Sequence, residues 1–170
     1  MNPVDKIREQ RKQNMLNVMA ARPHKRRIVP LDQLRSIGLI ASNLSNEDEI
    51  VFEQFVRAMQ NRGLMVRKIV LPQFCDDLID KYGFPKSEFS LLFTSYNYDL
   101  LIDTTPTNDI FGLYITLNAN SNLRVCYHDT TVPMQRLVEN TYDLIIRGEG
   151  PIQLQQYLTQ VLNYLTKIRK

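Results

Sequence analysis

Residues 98–103 read YDLLID, and residues 142–147 read YDLIIR. Each carries Leu or Ile at three consecutive central positions with no polar alternation, the pattern of a strand covered on both faces. The Tyr-Asp pair before each run suits an aromatic ring packed beneath a sheet, followed by a polar strand start. The flanking sequences do not match. The pair therefore reads as two parallel strands of similar construction, not as a duplicated unit. Asp103 and Arg147 close the two runs with opposite charges. If the strands are neighbours, these two side chains meet as an ion pair at one edge of the sheet.

Working outward, residues 36–41 (Ser-Ile-Gly-Leu-Ile-Ala) form a short apolar run and read as the first buried strand. A polar loop over 43–46 leads to a helix over 47–62, where Ile50, Val51, Phe55, Val56 and Met59 share a face. Ser45 or Asn46 can cap it, acids fill its first turn, and Gly63 ends it. Residues 64–71 are a second strand stopped by Pro72. Strand, helix and strand at this spacing make a βαβ unit with a right-handed crossover. An irregular stretch over 73–86, with a short helix at 76–82, precedes residues 87–94. There Phe89, Leu92 and Phe93 fit helical spacing and Leu91-Leu92-Phe93 also fits a strand; the Ser87-Glu88 start favours the helix. After YDLLID and the turn Asp103-Thr104-Thr105-Pro106 come a helix over 109–118 and a strand over 123–127. A helical turn at 134–139 leads into YDLIIR. An amphipathic helix over 151–168 closes the chain, with Leu154, Tyr157, Leu158, Val161, Leu162 and Leu165 on its apolar stripe. This alternation predicts an α/β fold: a three-layer, Rossmann- or flavodoxin-like sandwich around a mostly parallel sheet of about five strands.

The 170 residues suffice for one domain with a sizeable core. Hydrophobic residues make up 44% and charged residues 23%, ordinary for a soluble globular protein. No apolar run approaches the roughly 18–20 residues of a membrane span, and no secretory h-region opens the chain. Cys75 and Cys126 are the only cysteines, too few for a disulfide scaffold or a zinc site. The cytoplasm is the expected compartment.

The net charge of +3 is unevenly placed. Residues 1–35 hold nine Lys/Arg against three acids, a charge of +6, and the rest holds twelve against fifteen, a charge of −3. The chain thus divides into a basic N-terminal helix and linker (1–35) and a single α/β domain (36–170). The helix spans about residues 3–21, with Asn2 as a cap and Pro3 at an early position. Its apolar residues Val4, Ile7, Met15, Leu16, Val18 and Met19 cluster loosely, and Arg11 interrupts their stripe, so weak packing is expected.

Ligands of doubly wound sheets bind beyond the carboxyl ends of the strands. Those ends offer Ser42, Asn43, Asp103, Thr104, Thr105, His128, Asp129 and Arg147 as a candidate pocket. A surface position is expected for His128, and a His128–Asp129 acid–base pair is opposed by the alternation of side chains along a strand. Neither G-x-G-x-x-G after the first strand nor G-x-x-x-x-G-K-[ST] is present, and Glu47, Asp48 and Glu49 stand where a phosphate loop avoids acids. No G-x-S-x-G elbow occurs. No catalytic residue, metal site or cofactor is assigned.

Two resemblances add to this. YDLLIDTTP resembles the phosphoacceptor strand of a response-regulator receiver domain, which would make Asp103 the acceptor and Thr131 or a neighbour the hydroxyl switch, with Arg147 in place of a lysine. The chain departs from that pattern: Ser42-Asn43 replaces the acidic pair after the first strand, and the path to Asp103 is long. A second resemblance covers nearly the whole chain. A basic N-terminal helix runs through Arg26-Arg27 to 34–40 (LRSIGLI), then 93–103 (FTSYNYDLLID), Leu113-Tyr114-Ile115, Leu123-Arg124-Val125, 142–146 (YDLII) and Leu162-Asn163-Tyr164-Leu165. In that order the segments resemble an uncharacterised Bacteroidetes family of about this length, a domain of unknown function with a Rossmann-like body. The resemblance implies an intracellular α/β domain and brings no activity.

The functional expectation rests on the arm. Lys6, Arg8, Arg11, Lys12, Arg22, Lys25, Arg26 and Arg27 are candidate anion-binding residues. RNA or a ribonucleoprotein is favoured as partner over a membrane, because the helix lacks a strong apolar face and bulky aromatics. Residues 1–50 contain no aromatic side chain, so base stacking is not supported there, and no DNA-binding motif is present. The alternatives are a small-molecule site or enzyme around Asp103, Thr104, His128 and Arg147, and a homodimer formed through a terminal helix.

Overall fold

A computed structural model describes residues 2–71, 79–80 and 84–168. Five strands form one parallel sheet: β1 (Ser36–Ser42), β2 (Met65–Leu71), β3 (Asn97–Asp103), β4 (Asn120–Asp129) and β5 (Leu144–Gly148). Their order is β2-β1-β3-β4-β5, and every pairing is parallel. This is the doubly wound order of flavodoxin-like folds. Six α-helices and a short 3-10 turn at Leu31–Gln33 complete the described part: α1 (Pro3–Ala20), α2 (Asn46–Asn61), α3 (Ser87–Thr94), α4 (Ile110–Asn118), α5 (Arg136–Thr141) and α6 (Leu154–Lys167).

Alternation along the strands sends side chains into two cores. Leu39 and Ala41, Leu100 and Ile102, and Leu123 and Val125 pack with Phe52, Phe55, Val56 and Met59 of α2 and Tyr157, Leu158, Val161 and Leu165 of α6. On the other face, Ile40 and Leu101 pack with Phe93 of α3 and Ile115 of α4. Cys126 joins Leu113, Leu137, Val138, Tyr142 and Leu16. The three-layer expectation holds. Local signals act as the sequence suggests at two helices: Asn2 caps α1 by accepting from Val4 N at 3.2 Å, and Ser45 caps α2 by accepting from Asp48 N at 3.1 Å. Asp109, read as the first residue of its helix, instead caps α4 by accepting from Phe111 N at 2.9 Å. Gly63 follows α2 at φ 82°.

Three expectations need correcting. The two hexamers are not neighbours, because β4 lies between β3 and β5. The Asp103–Arg147 ion pair is therefore not formed. YDLIIR is an edge strand, and its apolar residues Leu144, Ile145 and Ile146 are half-buried, not fully covered. His128 is buried at 3% exposure instead of lying on the surface. The helix expected at 76–82 falls largely outside the described residues; within it, Ile79 pairs with Pro85 in an isolated antiparallel bridge.

The arm is divided. The first half of α1 is exposed, Val4 and Ile7 included, whereas Leu16 is completely buried and Met19 nearly so. Its second half packs against α4 and α5. The linker then passes the amino-terminal edge of the sheet. Arg27 N donates to Asn122 O at 3.0 Å, and Val29 is buried against the α2/α6 core.

Candidate functional site

At the carboxyl edge of the sheet, the polar residues bind one another. Asp103 is 1% exposed and lies in the protein interior. Its Oδ1 accepts from Thr105 N at 2.8 Å and Thr105 Oγ1 at 2.6 Å, and its Oδ2 accepts from Thr116 Oγ1 at 3.2 Å and from the Tyr142 hydroxyl. Tyr157 Oη donates to the Asp103 carbonyl at 3.0 Å. Burial pushes the Asp103 carboxyl above its ordinary range despite those donors, which act to lower it. The group is the hub of a buried polar network, with no face turned to solvent.

Its neighbours are similarly engaged. Thr104 Oγ1 donates to Ile40 O at 2.7 Å, and Ser42 Oγ donates to Asp109 Oδ2 at 3.4 Å. Asn43 sits at φ 48°, a left-handed turn that Asn tolerates. His128 Nδ1 faces Thr107 Oγ1 at 3.3 Å. Asp129 Oδ1 accepts from Thr131 N, Thr131 Oγ1 and Gly150 N, at 2.8, 2.7 and 2.9 Å, and those bonds hold its carboxyl below the usual range. Arg147 is exposed, with Nη2 3.9 Å from Met134 Sδ. Asp103 thus joins Thr105, and His128 joins Thr107. Among the described residues, no three His, Cys, Asp or Glu side chains are grouped to hold a metal ion.

A cleft of about 490 Å³ opens at the opposite, amino-terminal edge, between the end of α1, the linker and the starts of β3 and β4. Its walls include Arg22, His24 and Lys25 from the linker, Asn97, Asn118, Asn120 and Asn122, and Arg124. Arg124 is 7% exposed. Its Nε donates to Ser121 Oγ at 3.2 Å and its Nη2 to Ala119 O at 3.4 Å. Asp143 anchors the linker beside it. Asp143 Oδ2 accepts from Arg124 N at 2.8 Å and lies 3.2 Å from His24 Nε2, while Arg26 Nε stands 2.7 Å from Oδ1 as an ion pair. Burial, and then the Arg124 charge, hold the His24 imidazole below its ordinary range, outweighing Asp143.

Seven of the eight predicted anion-binding residues, Lys12 excepted, are exposed. Lys12 pairs with Glu9 at 2.9 Å and Arg26 with Asp143; Lys6, Arg8, Arg11, Arg22, Lys25 and Arg27 have no ion-pair partner among the described residues. Only Arg22 and Lys25 of the eight reach the cleft. Sequence reasoning missed Arg124 and the Asn residues, because the rule for doubly wound sheets directs attention to the other edge. The Asn118-Ala119-Asn120-Ser121-Asn122 run was the available signal.

Residues 7–168 match a family of unknown function (DUF6913). The chain belongs to this family. No curated protein matches at a significant level. Among solved structures, the chain is similar to a CheY-like response regulator receiver domain from Methylobacillus flagellatus, at 13% identity and a TM-score of 0.45, covering 78% of this chain and 98% of that one. Membership in the family assigns no activity, so the DUF6913 chain is read from its own surface.

Proposed function

We propose that this protein is a non-catalytic accessory or binding protein whose basic N-terminal arm contacts an anionic partner, RNA or a ribonucleoprotein in preference to a membrane. The observation that carries the reading is the exposed, unpaired state of Lys6, Arg8, Arg11, Arg22, Lys25 and Arg27 within a segment of net charge +6. Clustered cations without internal partners gain most from phosphate contact, through release of condensed counterions. The engagement of Asp103, Thr104, Thr105 and Asp129 in internal hydrogen bonds favours this over a strand-end enzyme site. Among the described residues, no helix is long and apolar enough to cross a membrane. On the exposed part of α1, Val4 and Ile7 supply little apolar surface for an interfacial helix. A cytoplasmic location and a Bacteroidetes source belong to the same proposal.

The test is fluorescence anisotropy of the intact chain with a labelled single-stranded oligoribonucleotide, beside sedimentation with anionic phospholipid vesicles. Binding to RNA at low salt with no vesicle retention is expected. Retention on vesicles without RNA binding, or no binding to either, would overturn the reading.

A further inference from the structure

We infer that the cleft at the amino-terminal edge of β3 and β4 binds one ribonucleotide unit, its phosphate against Arg22, Lys25 and Arg124 and its sugar hydroxyls against the amide oxygens of Asn118, Asn120 and Asn122. The inference rests on the polyanion reading above and names where the contact is made.

Arg124 supplies the first reason. A buried guanidinium is costly unless it is paired. Arg124 is 7% exposed, yet no carboxylate lies within ion-pair distance among the described residues. Its guanidinium has five N–H donors. Among the described residues it makes two long bonds to neutral acceptors, Ser121 Oγ and Ala119 O. The neighbouring Asp143 attracts it from a distance but makes no direct ion pair with it, since its oxygens face His24, Arg26 and the Arg124 backbone. A buried cation with no carboxylate in contact among the described residues thus lines an open cleft, and the exposed, unpaired Arg22 and Lys25 stand at its rim. Phosphate is the anion whose several oxygens suit such a group of donors.

The asparagines supply the second reason. Each spends its amide nitrogen on the protein: Asn118 Nδ2 on Tyr114 O at 2.8 Å, Asn120 Nδ2 on Thr94 O at 3.3 Å, and Asn122 Nδ2 on Asp99 Oδ1 at 3.2 Å. These acceptors fix the orientation of all three amides and leave the Oδ1 atoms as acceptors for a ligand. Cations beside amide acceptors complement a phosphate joined to hydroxyl donors, and the 2′-hydroxyl is the donor that separates RNA from DNA. The cleft volume falls within the roughly 300–1,000 Å³ of small-ligand sites.

The experiment uses the intact chain, uridine 5′-monophosphate, its 2′-deoxy analogue and a short oligouridylate, with binding read by calorimetry at low salt. Two variants are compared: Arg22→Glu with Lys25→Glu at the cleft rim, and Lys6→Glu, Arg8→Glu with Arg11→Glu on α1. All five side chains are exposed and unpaired, so both variants keep the wild-type melting temperature. The rim variant is expected to weaken the monophosphate about tenfold or more, through the loss of two charge-assisted contacts. The α1 variant leaves it unchanged, the deoxy analogue binds more weakly, and both variants weaken the oligomer. Monophosphate binding that is absent, or equal in wild type and rim variant, overturns the cleft assignment; the arm reading survives if the α1 variant still loses RNA. Equal binding of the deoxy analogue overturns the hydroxyl contact. A monophosphate bound through the cleft with no oligomer binding upholds the site for free nucleotide and sinks the arm reading.

Discussion

Asp99 and Asp143 show why the chain spells Tyr-Asp twice. Asp99 Oδ2 accepts from Arg35 N at 2.8 Å and Ser36 N at 3.1 Å at the start of β1, as Asp143 Oδ2 accepts from Arg124 N in β4. Asp99 lies near the start of β3 and Asp143 just before β5, and each carboxylate satisfies backbone donors of the neighbouring strand at the amino-terminal edge of the sheet. Asp143→Ala should therefore cost about 1–3 kcal/mol, the loss from a buried donor left without its partner, measured by urea unfolding. Asp103 has a different role. Burial raises its folded pKa above 3.8, so the folded chain holds the proton where the unfolded chain has released it. Its contribution to stability is then full below the unfolded value and is lost as pH rises through the folded one. Between about pH 4 and neutrality, wild-type stability should fall relative to Asp103→Asn, which cannot titrate. A constant difference between the two urea midpoints across that range would refute this role.

At the scale of elements, the strands and helices were legible because their signals are local. The helix read at 87–94 coincides with α3, and the strand read at 36–41 lies within β1 Ser36–Ser42. The position of YDLIIR in the sheet was not legible. A run of Leu and Ile looks alike in a central strand and in an edge strand partly covered by flanking side chains, and only the crossover connections decide which it becomes. The contribution of α1 was likewise hidden, since two buried residues, Leu16 and Met19, anchor a helix on which Val4, Ile7, Met15 and Val18 are exposed. Leu16→Ala should destabilise the protein by about 2–5 kcal/mol, and Val18→Ala, at a site 63% exposed, by less than about 0.5 kcal/mol. Thermal unfolding of the two variants distinguishes a docked arm from a detached one. In α4, a Cβ on Gly112 would collide with Thr105 Oγ1 and lie 3.2 Å from Asp103 Oδ2. Gly112→Ala should thus be destabilising by about 1–3 kcal/mol although Ala is the better helix former.

Across the whole molecule, the two edges of the sheet differ in what they leave unsatisfied. At the carboxyl edge, where sequence reasoning placed the pocket, Asp103 is held in hydrogen bonds with Thr105 and Thr116, and Asp129 with Thr131. At the amino edge, a buried guanidinium, two unpaired cations and three amide oxygens surround an open cleft. The basic arm was legible from charge alone. Its meeting with Arg124 was not, because that depends on α1 docking against α4 and α5 and on the linker turning back past Asn122. The salt dependence of oligoribonucleotide affinity tests the central claim most directly. For the intact chain, the logarithm of the association constant should fall linearly with the logarithm of salt concentration. The slope should become shallower by about 0.7 for each phosphate contact removed in the Lys6→Glu, Arg8→Glu, Arg11→Glu variant. An affinity indifferent to salt, or a slope identical in wild type and variant, would contradict the account.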